Sequence, residues 1–199
     1  MAKKDQDLRT AEEIGMEVIS AMDKEFHHES DRVTAIVGAA YLDDVLGNLL
    51  RKIFISDSDG ADNMLRPDAP LGSNGSRYQL AFCLGLIRKH QFDDLKLVGK
   101  IRNYFAHNYK CSSFDEAPVR DWCAAFQQPK FFEAMPSKLF RPEVSGQMSP
   151  YVKSLSVTPR QKFETTIMCL FSSLLRRVNF VTVLDESKWF RQNADPDIP

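Results

Sequence analysis

The sequence lacks the cysteine spacing of a disulfide-bonded or zinc-binding protein. Its four cysteines are scattered along the chain and form no C-x-x-C pair: they are Cys83, Cys111, Cys123 and Cys169. Disulfide frameworks and structural zinc sites both draw on paired or closely spaced cysteines. We therefore expect reduced thiols, no bound metal and no cofactor.

An excess of charge of one sign is missing as well. The chain carries 26 Lys and Arg against 27 Asp and Glu, for a formal net charge of -1. A protein that gains its affinity by neutralising many phosphates needs a strongly basic surface, so this balance argues against that role. A phosphate-cradling loop is not evident either, because the stretch LGSNGS at residues 71–76 has neither the Walker lysine nor a preceding strand.

Long apolar segments are also absent. No uninterrupted apolar stretch approaches the ~18 residues needed to span a bilayer. The N-terminal segment MAKKDQDLR contains basic residues, but the apolar core of a secretion signal does not follow it. These two features predict a cytoplasmic protein without a membrane anchor.

Strand patterns are missing, since no segment alternates apolar and polar residues over the length of a strand. Apolar residues instead recur at steps of three and four, which is typical of amphipathic helices. This period predicts helices at residues 8–28, 31–55, 74–88, 91–109, 115–127 and 158–185. The polar stretch at residues 56–73 predicts a long loop with at most one short turn, at residues 61–65.

The resulting fold class is all-α, an irregular bundle of five to seven helices without a sheet. We expect one helical domain over residues 1–199. Four prolines fall in residues 128–157 and predict an irregular excursion there, and residues 186–199 read as a loose C-terminal tail. Ser30 or Asp31 would cap the second helix, and Thr158-Pro159 is the start signal of the last one.

One predicted helix concentrates side chains that can do chemistry. The stretch Lys100–Tyr109 reads KIRNYFAHNY and holds Arg102, Asn103 and His107. At about 100° per residue, Arg102 and His107 lie on opposite flanks of the apolar face, with Asn103 between them on the polar side. They can act together only on a third group that reaches both. A phosphate or a carboxylate would suit an Arg fork and a titratable His.

The hexapeptide RNYFAH fits the pattern R-N-x-x-x-H and resembles the motif of the HEPN superfamily, small helical bundles that include metal-independent ribonucleases. The resemblance implies that Arg102 holds a scissile phosphate, that His107 acts as acid or base and that Asn103 orients the site. Two further interpretations remain open. Arg102 and His107 could bond to acids of the second helix in a structural network, or contact a protein partner, including a second copy of the chain.

A second resemblance covers over a third of the chain. The segments ESDRVTAIVGAAYLDDVLGNLLRKIF, PLGSNGSRYQLAFCLGLI and KIRNYFAH occur in this order from about Glu29 to Asn108 and look like the mannitol operon repressor family. That family is all-helical and is associated with negative regulation of mannitol uptake and utilisation. The resemblance implies a transcription-regulatory role for this chain, and we favour a regulator over an enzyme.

The family match extends the candidate site beyond the fourth predicted helix, because it also takes in Asp31 and Arg32. We predict a polar cluster shared by the second and fourth helices, made of Asp31, Arg32, Asp43, Asp44, Arg102, Asn103 and His107. Asp43 and Asp44 are adjacent and point about 100° apart on a helix, so they are not a ready carboxylate pair.

A DNA-reading element does not stand out in the sequence. A helix-turn-helix needs a short turn followed by a recognition helix with exposed basic and polar residues. The best basic groups, Arg160-Gln161-Lys162 and Arg176-Arg177, read as solvated helix faces. We therefore expect repression through a regulatory protein partner rather than direct DNA binding. RNA remains an alternative target, and a non-catalytic dimerising scaffold is a third alternative.

Overall fold

The computed structural model describes residues 17–54, 58–111, 113–128 and 158–181. This part of the chain contains seven helices and no strand, which confirms the predicted all-α class. The helices are α1 (residues 17–28), α2 (Asp31–Ile53), α3 (Ser58–Leu65), α4 (Asn74–Cys83), α5 (Lys89–His107), α6 (Val119–Ala124) and α7 (Pro159–Phe180). The excursion predicted after residue 128 and the tail predicted at residues 186–199 lie outside the described residues.

Helix α2 is the central element of the bundle, and α3, α4, α5 and α7 all pack against it. Ser30 is its N-cap, and the Ser30 side chain accepts a hydrogen bond from the Val33 amide, as the sequence predicts. Gly38 lies where α2 meets α7. A methyl group at Gly38 would sit 3.2 Å from Ile167 Cγ1 and 3.3 Å from Phe163 Cε1. The missing side chain therefore lets these two helices approach closely.

Length and composition alone would allow α2 to cross a membrane, because a window of this helix has a mean hydropathy of 1.4. The surrounding bundle buries 56% of that window. A helix that is apolar on most sides is expected at the centre of a folded bundle as well as in a membrane. The packing of four helices around α2 identifies it as the core helix of this fold.

Helix α7 begins where the pair Thr158-Pro159 predicts. The Thr158 hydroxyl accepts a hydrogen bond from the Gln161 amide at 3.2 Å, and the Gln161 side chain accepts one from the Thr158 amide at 3.2 Å. Pro159 occupies the first position of the helix, where a backbone N–H would have no partner in the helix. The helix ends at Phe180, earlier than the predicted end at residue 185.

Helix α4 is shorter than predicted, and Gly85 is the cause. The apolar period predicts a helix to residue 88, but α4 ends at Cys83. Gly85 adopts a left-handed φ of 68°. The Gly85 and Leu86 amides donate to the carbonyls of Phe82 and Ala81 at 3.0 and 2.9 Å. This is the Schellman arrangement that ends helices at a glycine, and the apolar period does not reveal it.

Two short helices also differ from the predictions. Helix α6 spans only Val119–Ala124 within the predicted residues 115–127, because Pro118 just before it cannot supply the N–H of a helix interior. The predicted loop at residues 56–73 contains α3, which is longer than the predicted turn. Ala61 and Leu65 lie one turn apart on α3 and are both buried. Burial of that face stabilises a helix whose composition is typical of a loop.

An aromatic cluster joins the segment after α5 to helix α7. The ring centroid of Phe163 lies 5.0 Å from that of Phe114 and 6.3 Å from that of Phe126. Phe114 in turn packs on Phe105, at 5.0 Å. All four rings are at most 2% exposed. Because aromatic rings bury large apolar areas, this cluster holds residues 113–128 against α5 and α7.

Candidate functional site

The predicted polar cluster is divided among separate places in the structure, and Asp31 belongs to the first of them. Asp31 Oδ1 forms an ion pair with Arg160 Nη1 at 2.5 Å. Asp31 Oδ2 accepts a hydrogen bond from the Phe114 amide at 2.8 Å. Asp31 therefore ties the start of α2 to α7 and to the segment after α5. Its hydrogen bonds and its ion pair are made with Phe114 and Arg160 and not with the candidate residues on α5.

The sequence predicts that Arg160 lies on a solvated helix face, and this prediction is wrong. In the structure Arg160 is a junction, a side chain that bonds to several separate parts of the chain. Its guanidinium donates to Glu164 Oε1 at 2.8 Å, to Thr34 Oγ1 and the Glu29 carbonyl at 3.0 Å, and to the Phe26 carbonyl. Burial lowers the pKa of Arg160, but its bonds to carboxylates outweigh this and raise the pKa overall. Burial raises the pKa of Glu164, and Arg160 offsets part of that rise.

Arg32 is next to Asp31 in the chain but serves a different helix. Its guanidinium donates to the Phe105 carbonyl and, at 2.9 Å each, to the carbonyls of Asn108 and Cys111. Carbonyls at the end of a helix have no amide partner within it and carry partial negative charge. Arg32 satisfies the Phe105 carbonyl in this way and also binds two carbonyls just past the helix, so it ties the C-terminal end of α5 to the start of α2.

Asp43 and Asp44 lie on another side of α2. Asp43 Oδ2 pairs with Arg77 Nη1 at 2.8 Å, and Arg77 also donates to the carbonyls of Leu71 and Leu65 at 2.7 Å. Arg77, which sequence reasoning did not single out, thus joins α2, the end of α3 and the loop before α4. Asp43 and Asp44 border a depression of about 250 Å³ on this side.

Arg102, Asn103 and His107 all lie on the exposed side of α5. Arg102 Nη1 donates to Asn103 Oδ1 at 2.9 Å. Among the described residues, neither Arg102 nor His107 forms an ion pair with a carboxylate. The structural network with acids of α2 is therefore not formed, since Asp31 and Asp43 are held by other arginines.

A cleft of about 610 Å³ opens between α5 and the start of α4, and it receives only part of the candidate triplet. Arg102 and Asn103 line this cleft together with Lys96 and Lys100, whereas His107 is not among its lining residues. Lys96, Lys100 and Asn103 are spaced at helical steps of four and three, so they share one stripe of α5. In the structure, Arg102 therefore shares the cleft with two lysines and not with His107.

The cleft also includes Tyr78 of α4. Tyr78 is 2% exposed, and its hydroxyl makes no hydrogen bond of normal geometry to any described residue. Burial raises the pKa of Tyr78 to about 12, and the negative charge of Asp43 adds to the rise, although the Asn74 side chain and the charge of Arg102 lower it in part. The hydroxyl therefore stays neutral near neutral pH and remains a hydrogen-bond donor without an acceptor.

The thiols of the four cysteines take no part in the polar contacts described above. All four cysteines are free thiols. Burial raises the pKa of Cys123 and of Cys169 to about 12, which keeps the reactive thiolate form scarce. Within the described ranges, no three His, Cys, Asp or Glu side chains come together to hold a metal ion.

Comparison with known proteins bears out the second resemblance found in the sequence. The sequence profile described as mannitol repressor matches residues 26–172, from the end of α1 into α7. The X-ray structure of the MtlR-HPr complex from Escherichia coli contains a chain of similar fold, with a TM-score of 0.57 and 17% sequence identity. That alignment covers 80% of this chain and 97% of the other. No match was found among curated protein sequences. Because the profile spans well over half of its length, this chain belongs to the mannitol repressor family.

Proposed function

We propose that this protein represses the genes for mannitol uptake and utilisation, and that it acts through a protein partner. The observation that carries the proposal is the family match, which takes in α2 to α6 and the first part of α7. The net charge of -1 supports a protein partner over DNA, since affinity for the phosphate backbone needs many neutralising cations. The protein would act in the cytoplasm, where operons are transcribed.

The partner with the best support is HPr, a protein found in complex with the Escherichia coli relative. The likeness to that structure extends over 97% of the matched chain. This protein therefore shares the overall helical arrangement of that chain. Most preorganised complexes form with little movement of the backbone, so we expect this arrangement of helices to be the one that binds the partner.

We expect the purified protein to bind HPr from its own organism with saturable one-to-one stoichiometry, measured by isothermal titration calorimetry. The same preparation should leave mannitol operator DNA unretarded in a gel at low salt, where contacts to phosphates are strongest. Scrambled DNA of equal length is the control. Specific retardation of the operator by this protein alone, or the absence of any heat with HPr, would contradict the proposed mode of action.

The ribonuclease alternative requires a particular arrangement of Arg102 and His107 on α5. In a ribonuclease, the catalytic acid or base must lie within hydrogen-bonding reach of the reacting atoms of the phosphate that the arginine binds. Arg102 borders the cleft and His107 does not, so this cleft does not place both side chains beside one reacting group. We therefore expect no cleavage of single-stranded or structured RNA in the presence of a metal chelator, measured by gel electrophoresis. Cleavage by the wild type that is lost in His107→Ala would refute this expectation.

A further inference from the structure

The cleft between α4 and α5 carries concentrated positive charge that no acid in its lining neutralises. Lys96, Lys100 and Arg102 line it, and no carboxylate appears among its described lining residues. The two ammonium groups lie over aromatic rings instead. Lys96 Nζ is 5.3 Å from the ring centroid of Phe92, and Lys100 Nζ is 4.2 Å from that of Trp122. A recess lined by one sign of charge focuses the field and attracts an ion of the opposite sign.

The opposite wall of the cleft is the N-terminal end of α4. Ser73, Asn74 and Gly75 line it. The Ser73 hydroxyl caps the helix by accepting a hydrogen bond from the Ser76 amide at 3.1 Å. The amides of Asn74 and Gly75 lie in the first turn and have no carbonyl partner within the helix. Together with the positive end of the helix dipole, these N–H groups favour an anion.

The third element of the cleft is the hydroxyl of Tyr78, which is independent of the two charged walls. It is buried beside the Asn74 side chain, and its proton has no acceptor among the described residues. A methyl group at Gly99 would lie 4.0 Å from this hydroxyl, so the absent side chain at Gly99 leaves room beside it. A buried donor without an acceptor is costly, and an anion that displaces the atoms covering this hydroxyl would supply the missing acceptor.

We propose that this cleft binds a small phosphate-bearing anion, either a phosphate ester or free phosphate. A phosphate group carries close to two negative charges and three strong acceptor oxygens. It therefore matches three cations, two free amides and a hydroxyl better than a carboxylate does. The volume of about 610 Å³ is that of a pocket for a small molecule. A nucleic-acid strand would need an extended basic groove with stacking aromatic rings. Binding here does not require the proposed protein partner.

Isothermal titration calorimetry of the full chain tests the site with inorganic phosphate, mannitol 1-phosphate and unphosphorylated mannitol. Saturable binding of the two phosphate-bearing probes but not of mannitol is the expected result. An ester that binds more than tenfold tighter than inorganic phosphate identifies an ester as the ligand, and similar affinities identify free phosphate. Binding should weaken as salt rises, because charge attraction drives it.

Matched variants locate the bound anion. Arg102→Ala should weaken binding about tenfold or more, since it removes charge-assisted hydrogen bonds from an exposed position that packing does not need. Tyr78→Phe should weaken binding several-fold with little loss of stability, because the proton of the hydroxyl it removes has no acceptor in the folded protein. Arg120→Ala is the control, since Arg120 lies on α6 and pairs with its neighbour Asp121 at 3.2 Å.

The inference is overturned if neither phosphate-bearing probe binds saturably, or if Arg102→Ala binds them as tightly as Arg120→Ala. It is also overturned if a short single-stranded RNA binds at the cleft while both small probes fail, because the site would then belong to nucleic acid. None of these outcomes depends on HPr. Failure of the cleft to bind phosphate would therefore leave the proposed regulatory function standing.

Discussion

Replacing Arg160 by alanine is expected to lower the free energy of unfolding by about 2 kcal/mol, below the loss seen when one partner of a fully buried ion pair is removed, because this pair is partly exposed. The change leaves the Asp31 carboxylate without its cation, although the Asp31 side chain is only 18% exposed. It also removes a hydrogen-bond donor from Thr34 and from the carbonyls of Phe26 and Glu29. Each acceptor left unsatisfied away from water adds to the loss.

Urea unfolding monitored by circular dichroism measures this effect through the midpoint and slope of the transition. Arg160→Lys should fall between wild type and Arg160→Ala, since lysine retains the charge but not the fork of donors. The matched control is Arg120→Ala, because the side chains of Arg120 and Asp121 are 56% and 64% exposed and such pairs contribute little. Equal midpoints for Arg160→Ala and Arg120→Ala would disprove the junction role of Arg160.

Replacing Phe163 by alanine should have the largest effect on the apolar core, a loss of about 4 kcal/mol. Phe163 is fully buried and packs on the rings of Phe114 and Phe126. It also lies against Gly38, at the close contact of α2 with α7. The cavity would open where three parts of the chain meet, and well-packed neighbours refill such a space only in part.

The same helix offers a matched control for this substitution. Phe180 ends α7 and is 71% exposed, so Phe180→Ala should change the free energy of unfolding by at most about 0.5 kcal/mol. Both variants are compared by urea unfolding at equal protein concentration. A Phe163→Ala midpoint within error of that of Phe180→Ala would mean that Phe163 does not hold the core in this way.

Sequence patterns predicted the helices well where local signals set them. Ser30 caps α2, and Thr158-Pro159 starts α7, because capping depends on residues within one turn. The apolar period gave wrong helix bounds where another local rule overrode it, as at Gly85. It also missed a polar helix that burial stabilises, as in α3. Apolar spacing reports which face is buried, and it is less informative about where a helix ends.

A partner for Arg160 could have been anticipated from one local feature. Arg160 lies in the first turn of α7, where the positive end of the helix dipole disfavours a cation. Such a placement suggests that a negatively charged partner compensates the charge of Arg160. Spacing offers Glu164, one turn further along α7. Spacing does not predict the contact with Asp31, which is 129 residues away in the chain.

The stretch KIRNYFAHNY separates the properties set by local sequence from those set by the rest of the fold. The helical period placed Arg102, Asn103 and His107 on the polar side of α5, as the structure has them. Their surroundings came from elsewhere: Asp31 and Asp43 are engaged by Arg160 and Arg77, while the start of α4 supplies the second wall of the cleft. Helix type, caps and family could be read from the sequence alone, because they depend on neighbouring residues and on shared segments. The partner of each charged group was decided only by tertiary packing, because it brings together side chains that are far apart in the chain.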